Sequence, residues 1–134
     1  MGAGLVRTVI CYLDTQIAVW LCQKQLDRLS RKANEALEES ELLISPMVLL
    51  ELAYLYEIQR IVQPPQILLK QLESQIGLRV CDHPFPAVVE TALYETWTRD
   101  PFDRMIVAHA RSNGYSPLAT SDARIQEHYP QAIW

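Results

Sequence analysis

The sequence lacks the features that would place it in a membrane or outside the cell. It has no apolar run of the roughly 20 residues that a membrane-spanning helix needs. Its first residues also lack the longer apolar segment and the cleavage site of a signal peptide. Cysteines are few, and the three present are scattered without a C-x-x-C pair. We therefore expect a cytoplasmic protein that does not enter membranes, with reduced, buried cysteines: Cys11, Cys22 and Cys81.

The sequence also lacks an excess of positive charge and a pair of histidines at metal-ligand spacing. Its 12 basic and 16 acidic residues give a net charge of −4, which taken alone argues against nucleic acid as a partner. That argument weakens if several acids share one metal site, because two divalent ions would neutralise a charge of this size. His83, His109 and His128 are isolated from one another in the chain, so zinc ligation is not expected.

What the chain does contain is an alternation of strand-like and helix-like segments within 134 residues, a length suited to one domain. Runs of β-branched and apolar residues predict strands at 6–13, 41–45, 78–81, 116–120 and 132–134. Capped or amphipathic segments predict helices at 15–22, 30–40, 47–61, 67–76, 84–96 and 100–114, and a short one after residue 122. This order predicts a single α/β domain over residues 1–134, with helices on both faces of a parallel sheet.

The most informative stretch is T-R-D-P-F-D-R-M-I-V-A-H-A-R-S-N-G at 98–114. Asp100 lies where an N-cap belongs, and Pro101 follows at the first helical position, where its missing N–H has no cost. Asp103 is then on the first turn, and the apolar residues behind it predict a largely buried helix. Gly114 is expected to end the helix in the left-handed conformation. Two carboxylates at a buried helix start are a candidate metal site, although ordinary capping gives the same pattern.

Three further acids lie at comparable positions. Asp14 ends the first strand and opens a helix, Asp122 does the same after the fourth strand, and the carboxyl ends of parallel strands share one edge. Glu51 interrupts the apolar run V-L-L-E-L-A-Y-L, where it either reaches that edge or points to solvent. Each acid alone has a capping or surface explanation, and for Asp14 alone capping is favoured. Their convergence on one edge favours an acidic pocket, which is stable only if it holds cations or protons.

An acidic pocket of this kind predicts a chemistry. Ligands that are all oxygens suit Mg²⁺ or Mn²⁺ rather than zinc. A divalent ion lowers the pKa of a bound water to supply an attacking hydroxide, and it offsets the charge that develops on a phosphate. The residues therefore predict phosphoryl chemistry. If every acid were only a helix cap, divalent ions would leave the thermal stability unchanged.

Four segments of the chain match one family in order and spacing: L-D-T at 13–15, S-P-M-V-L-L-E-L-A at 45–53, R-D-P-F-D-R-M-I-V-A-H-A at 99–110 and T-S-D at 120–122. Together they cover essentially the whole chain and resemble the PIN domain, more closely its VapC-type toxin branch. The resemblance implies a three-layer α/β/α sandwich around a central parallel sheet. It implies a Mg²⁺- or Mn²⁺-dependent endoribonuclease, the toxin of a type II toxin–antitoxin system. An RNA substrate, a small antitoxin partner and a homodimer are implied as well.

The resemblance also implies roles for individual residues. The family's four catalytic acids fall on Asp14, Glu51, Asp103 and Asp122. Direct metal binding is implied for Asp14, Asp100, Asp103 and Asp122, whereas Glu51 binds a second ion, orients the attacking water or acts as general base. The polar positions that support the pocket are Thr15, Ser45 and Thr120. Candidate contacts to RNA phosphates are Arg99 and Arg104, while a surface ion pair is favoured for Arg111.

Two other readings account for parts of the pattern. A haloacid-dehalogenase-like phosphatase needs a second Asp two residues after the first, but Gln16 occupies that position after Asp14. A degenerate PIN domain that binds RNA or a protein without cutting is the alternative within the family. The complete set of acids argues against it.

Overall fold

The computed structural model describes residues 9–134, which form a five-stranded sheet flanked by seven helices. The strands are β1 (Val9–Leu13), β2 (Ser40–Ile44), β3 (Arg79–Val80), β4 (Leu118–Ala119) and β5 (Ala132–Ile133). The helices are α1 (Thr15–Cys22), α2 (Arg31–Glu39), α3 (Pro46–Glu57), α4 (Pro65–Ile76), α5 (Phe85–Ala92), α6 (Pro101–Ser112) and α7 (Ala123–His128). The predicted α/β/α architecture is confirmed. Residues 6–8 of the first predicted strand lie outside the described residues.

All neighbouring strands are parallel, in the order β3-β2-β1-β4-β5. The central strand is β1, where Tyr12 pairs with Leu43 of β2 on one side and with Leu118 of β4 on the other. The chain moves outward from β1 to β3 and then crosses to the other side of β1 for β4 and β5. The strand order therefore reverses between β1 and β4. Open α/β sheets bind ligands at this reversal, outside the carboxyl ends of the strands.

The core lies on both sides of β1. Cys11, Tyr12 and Leu13 are fully buried, as expected for a strand that is covered on both faces. Cys22 and Cys81 are also buried, and all three cysteines are free, as predicted. Among residues 9–134, no helix has the length and apolar character needed to cross a membrane.

Some helices end earlier than their sequence pattern predicts. Helix α3 stops at Glu57 rather than at residue 61, because Gln59 adopts a left-handed conformation (φ 63°) and the N–H of Arg60 reaches the carbonyl of Leu55 at 2.8 Å. Helix α5 ends at Ala92 rather than at residue 96, and residues 93–99 form an irregular segment that leads into α6. Helix α6 ends at Ser112, with Asn113 as its C-cap. Gly114 follows the cap and has the predicted left-handed conformation (φ 71°).

Candidate active site

The carboxylate of Asp14 lies at the carboxyl end of β1 and is buried, with 9% of the residue exposed. Its Oδ1 accepts a hydrogen bond from the backbone N–H of Thr15 at 2.8 Å, in keeping with its position as the N-cap of α1. Its Oδ2 accepts from the hydroxyl of Thr120 at 2.7 Å, across the point where the strand order reverses. Capping therefore accounts for one oxygen, while the other joins the ends of two strands.

Thr120 links Asp14 to the second acid at a strand end. Its buried hydroxyl donates to Asp14 and accepts the backbone N–H of Asp122 at 3.0 Å. The Asp122 carboxylate in turn caps α7, accepting from the N–H of Arg124 at 2.8 Å. One hydroxyl thus sets the distance between the two acids.

Glu51 belongs to the same group although it comes from α3. It is half-buried, and its Oε1 accepts a hydrogen bond from the Thr15 hydroxyl at 2.5 Å. Thr15 directly follows Asp14, so this contact brings the carboxylate of α3 beside the end of β1. The structure thus shows the orientation toward the sheet edge rather than the one toward solvent.

The N-terminus of α6 brings in the last two acids. Asp100 is exposed, and its Oδ1 accepts from the N–H groups of Phe102 at 2.8 Å and Asp103 at 3.3 Å. Asp103 is half-buried on the first turn, as the sequence predicts. Pro101 occupies the first helical position, which fixes where the turn begins.

The pKa values show that these five acids act on one another. The pKa of Asp103 is raised from its ordinary value of 3.8 to about 7, first by burial and then by the charges of the other four acids: Asp100, Asp14, Asp122 and Glu51. Burial is also the main cause that raises the pKa of Asp14 and of Glu51, and the charge of Asp100 adds to both. The hydroxyls of Thr120 and Thr15 oppose that rise because they bind the ionised carboxylates. The five side chains therefore share one electrostatic environment.

The donor set fits a hard divalent cation. The acids offer only oxygens, and the hydroxyls of Thr15 and Thr120 add more, which suits Mg²⁺ or Mn²⁺. A cation would also offset the burial and the like charges that together raise the pKa values of Asp103, Asp14 and Glu51. In the described range 9–134, no three His, Cys, Asp or Glu side chains already stand close enough to ligate one ion. Asp100 and Asp122 each bind a helix N-terminus, so a shared ion requires the carboxylates to move closer together.

Ser45 supports the site differently from the two threonines. Its Oγ accepts the N–H of Met47 at 3.1 Å, which caps α3, and lies 2.8 Å from Nδ1 of His109 on α6. It thus joins the helix that carries Glu51 to the helix that opens with Asp103. His109, which contacts Ser45, was not predicted from the sequence. The sequence signal for this contact is the position of His109 in the buried run M-I-V-A-H-A, because a buried polar ring needs a hydrogen-bond partner.

Two of the three arginines near the acids donate hydrogen bonds to backbone carbonyls. Arg99 is exposed. The Nε of Arg104 donates to the carbonyl of Thr98 at 2.9 Å. Arg124, which the sequence analysis did not single out, donates from Nη2 to the carbonyl of Trp97. Two guanidinium groups therefore fix consecutive carbonyls of the segment that leads into α6.

Comparison with known proteins identifies a family and a relative. The family model described as the PIN domain matches residues 11–130. Ribonuclease VapC22 from Mycobacterium tuberculosis is 34% identical over 128 residues, which covers 91% of this chain and 96% of that relative.

Two solved structures share the fold. One is VapBC2 from Rickettsia felis bound to a DNA fragment from their promoter, with a TM-score of 0.65 and 20% identity over 92% of this chain and 96% of that chain. The other is DNA-bound VapBC from Salmonella typhimurium, with a TM-score of 0.61 and 21% identity over 93% of this chain and 96% of that chain.

Proposed function

The chain belongs to the PIN domain family, and from that premise we propose that it is a divalent-metal-dependent endoribonuclease, the toxin of a type II toxin–antitoxin pair. The observation that carries this proposal is the set of contacts that brings acids from separate elements to one place: the Thr120 hydroxyl binds Asp14 and the N–H of Asp122, and the Thr15 hydroxyl binds Glu51. Carboxylates gathered this closely at the reversal of strand order repel one another. Such a cost is expected where acids serve a cation or a reaction.

In the proposed reaction, water attacks the phosphorus of an RNA phosphodiester. The bond from phosphorus to the leaving ribose oxygen breaks, and that oxygen takes up a proton. When bound, Mg²⁺ or Mn²⁺ lowers the pKa of the attacking water and offsets the charge on the phosphate. We assign Asp14, Asp103 and Asp122 to hold the ion, with Asp100 at its edge.

Glu51 is the residue with a distinct position in this proposal. Since the Thr15 hydroxyl binds its Oε1, Oε2 is the oxygen left for a second ion, for orienting the attacking water or for taking its proton. Its raised pKa, caused mainly by burial, brings the carboxylate closer to the range of a general base.

The proposal includes partners. The name of the curated relative supports RNA as the substrate, and the two VapBC assemblies support a small antitoxin as protein partner. Because the acids give the site a negative charge, a basic group of the antitoxin suits it. A homodimer and a cytoplasmic location belong to the same proposal.

The first experiment is cleavage of total RNA by purified protein free of antitoxin, in Mn²⁺ or Mg²⁺ and again in EDTA. Asp14→Asn and Asp103→Asn are the test variants. Asp27→Asn is the matched control, because Asp27 is exposed and lies outside the acidic site. We expect metal-dependent cutting by the wild type and the control, and a loss of at least about a hundredfold in the test variants.

A second measurement separates a nuclease from a degenerate domain. Mn²⁺ that raises the melting temperature while no RNA is cut would favour the non-cleaving alternative. Cutting that persists in Asp14→Asn with unchanged metal dependence would contradict the site assignment.

A further inference from the structure

A cleft that none of the five acids lines lies between α5, the 93–99 segment, α6 and α7. Its volume is about 660 Å³, within the range of sites that hold small molecules. Among the residues that line it are Glu90, Glu95, Trp97, Arg111 and His128.

The floor of the cleft is a buried ion pair that is already satisfied. Glu95 is 4% exposed, and its two oxygens accept from Nε of Arg111 at 2.5 Å and from Nε1 of Trp97 at 2.6 Å. The Arg111 guanidinium lies over the rings of Tyr115 and Tyr129, 5.2 Å from each centroid. Arg111 therefore forms the ion pair that the sequence predicts, but its partner Glu95 is buried rather than at the surface. Because its charge is neutralised by Glu95, the floor offers no free cation to a phosphate.

One wall of the cleft is an aromatic stack. The rings of Trp97 and His128 lie nearly parallel, with centroids 5.2 Å apart and an interplanar angle of 9°. The His128 side chain is 38% exposed. One face of the imidazole packs on Trp97, and the exposed part of this side chain lines the cleft, where a planar group can stack on it. Stacking on such a ring is how single-stranded nucleic acids are commonly held.

The cleft is also lined by an exposed carboxylate, that of Glu90 on α5. Within the described part of the chain, no ion pair involves Glu90. A carboxylate repels phosphate but accepts hydrogen bonds from the amino groups on base edges. The cleft therefore suits a base rather than a phosphate.

We propose that this cleft binds one unpaired nucleobase of the RNA substrate, stacked on His128 and read by Glu90 through an exocyclic amino group. Guanine, adenine and cytosine carry that group, whereas uracil offers only its N3–H, flanked by two carbonyl oxygens that repel the carboxylate. The inference rests on the proposed function and adds a subsite to it. Trp97 is three residues from Asp100, so their Cα atoms are at most about 11 Å apart. A base held here belongs to a nucleotide a short way along the strand from the bond that is cut.

The test is a titration of the metal-free, full-length protein in EDTA with GMP, AMP, CMP and UMP. The readout is the indole N–H signal of Trp97, identified by its loss in Trp97→Phe. We expect the three amino-bearing nucleotides to shift this signal at concentrations about tenfold lower than UMP requires. His128→Ala weakens binding of all four, and Glu90→Gln removes the discrimination against UMP, because an amide can bond to the uracil edge. Glu73→Gln, an exposed acid on α4, is the control.

Cleavage of an RNA library provides the second arm. We expect uracil to be depleted at one fixed position relative to the cut in the wild type, and the depletion to disappear in Glu90→Gln. Equal binding of UMP, no response of Trp97 to any nucleotide, or an unchanged cut-site preference in Glu90→Gln would overturn the inference. Selective nucleotide binding without any RNA cleavage would support the base site and contradict the nuclease assignment.

Discussion

Asp103 is the residue whose ionisation costs the folded protein most clearly. Its folded-state pKa of about 7 lies above the ordinary 3.8, so the folded protein binds this proton more tightly than the unfolded chain does. The free energy of unfolding therefore falls as the pH rises between these two values, and the loss is complete above about pH 7. A bound divalent ion would offset this loss of stability only at pH values at which the Asp103 carboxylate is ionised.

For Asp103→Asn without divalent ions we expect a gain of about 1–2 kcal/mol in the free energy of unfolding near pH 8. A pKa unit corresponds to about 1.4 kcal/mol, and solvent screening of this half-exposed side chain reduces the total. At about pH 4 the gain disappears because the wild-type carboxyl is protonated. Urea unfolding in EDTA at both values of pH measures it, with Asp27→Asn as control. A gain that is equal at both would show that charge is not its cause.

Thr120 allows a test of the hydroxyl that positions two acids. Thr120→Val keeps the shape but leaves Oδ2 of Asp14 without its donor, so we expect a loss of about 1–2 kcal/mol in the free energy of unfolding. The pKa of Asp14 rises further, since this hydrogen bond lowers it in the wild type. The acid limb of the cleavage rate against pH should then move to higher pH. Thr120→Ser keeps the donor and should leave that limb in place.

At the scale of the elements, α6 depends on Asp100 as its cap. Asp100→Asn and Asp100→Ala remove the same charge, but only the asparagine can still accept from the N–H groups of Phe102 and Asp103. We expect the alanine variant to be less stable than the asparagine variant by about 1 kcal/mol. Thermal unfolding of the two in EDTA gives the difference. Equal stability would mean that the cap contributes little to α6.

The local sequence predicts the starts of elements better than their ends. Asp14 and Asp100 are polar caps followed by helical patterns, and both helices begin where those caps predict. The predicted end of α3, residue 61, is wrong by four residues, because Gln59 rather than a glycine takes the left-handed conformation that follows the helix. No local signal marks that position, because Ile58 and Ile61 continue the apolar spacing of the helix.

At the scale of the whole molecule, divalent ions should stabilise the fold by mass action. Saturation at about a hundred times the dissociation constant adds about 2.7 kcal/mol to the free energy of unfolding, which raises the melting temperature by several degrees. Below about pH 5 the effect should vanish, because the proton on Asp103 and those on its neighbours compete with the ion. Thermal scans in Mn²⁺ across pH measure this. An Mn²⁺ effect that survives in Asp14→Asn and Asp103→Asn would place the ion elsewhere.

The sequence by itself determined the order of elements, the parallel sheet and the position of four acids at strand ends or at a helix start: Asp14, Asp100, Asp103 and Asp122. These follow from local periodicity, caps and strand ends, which depend on residues close together in the chain. The tertiary structure alone decided that Thr120 binds Asp14 over 106 positions, that Ser45 meets His109 over 64, and that Glu51 turns to Thr15 over 36. It also brought Glu90 and His128 to one cleft. Contacts of this range depend on how helices pack on the sheet, and no local pattern encodes that packing.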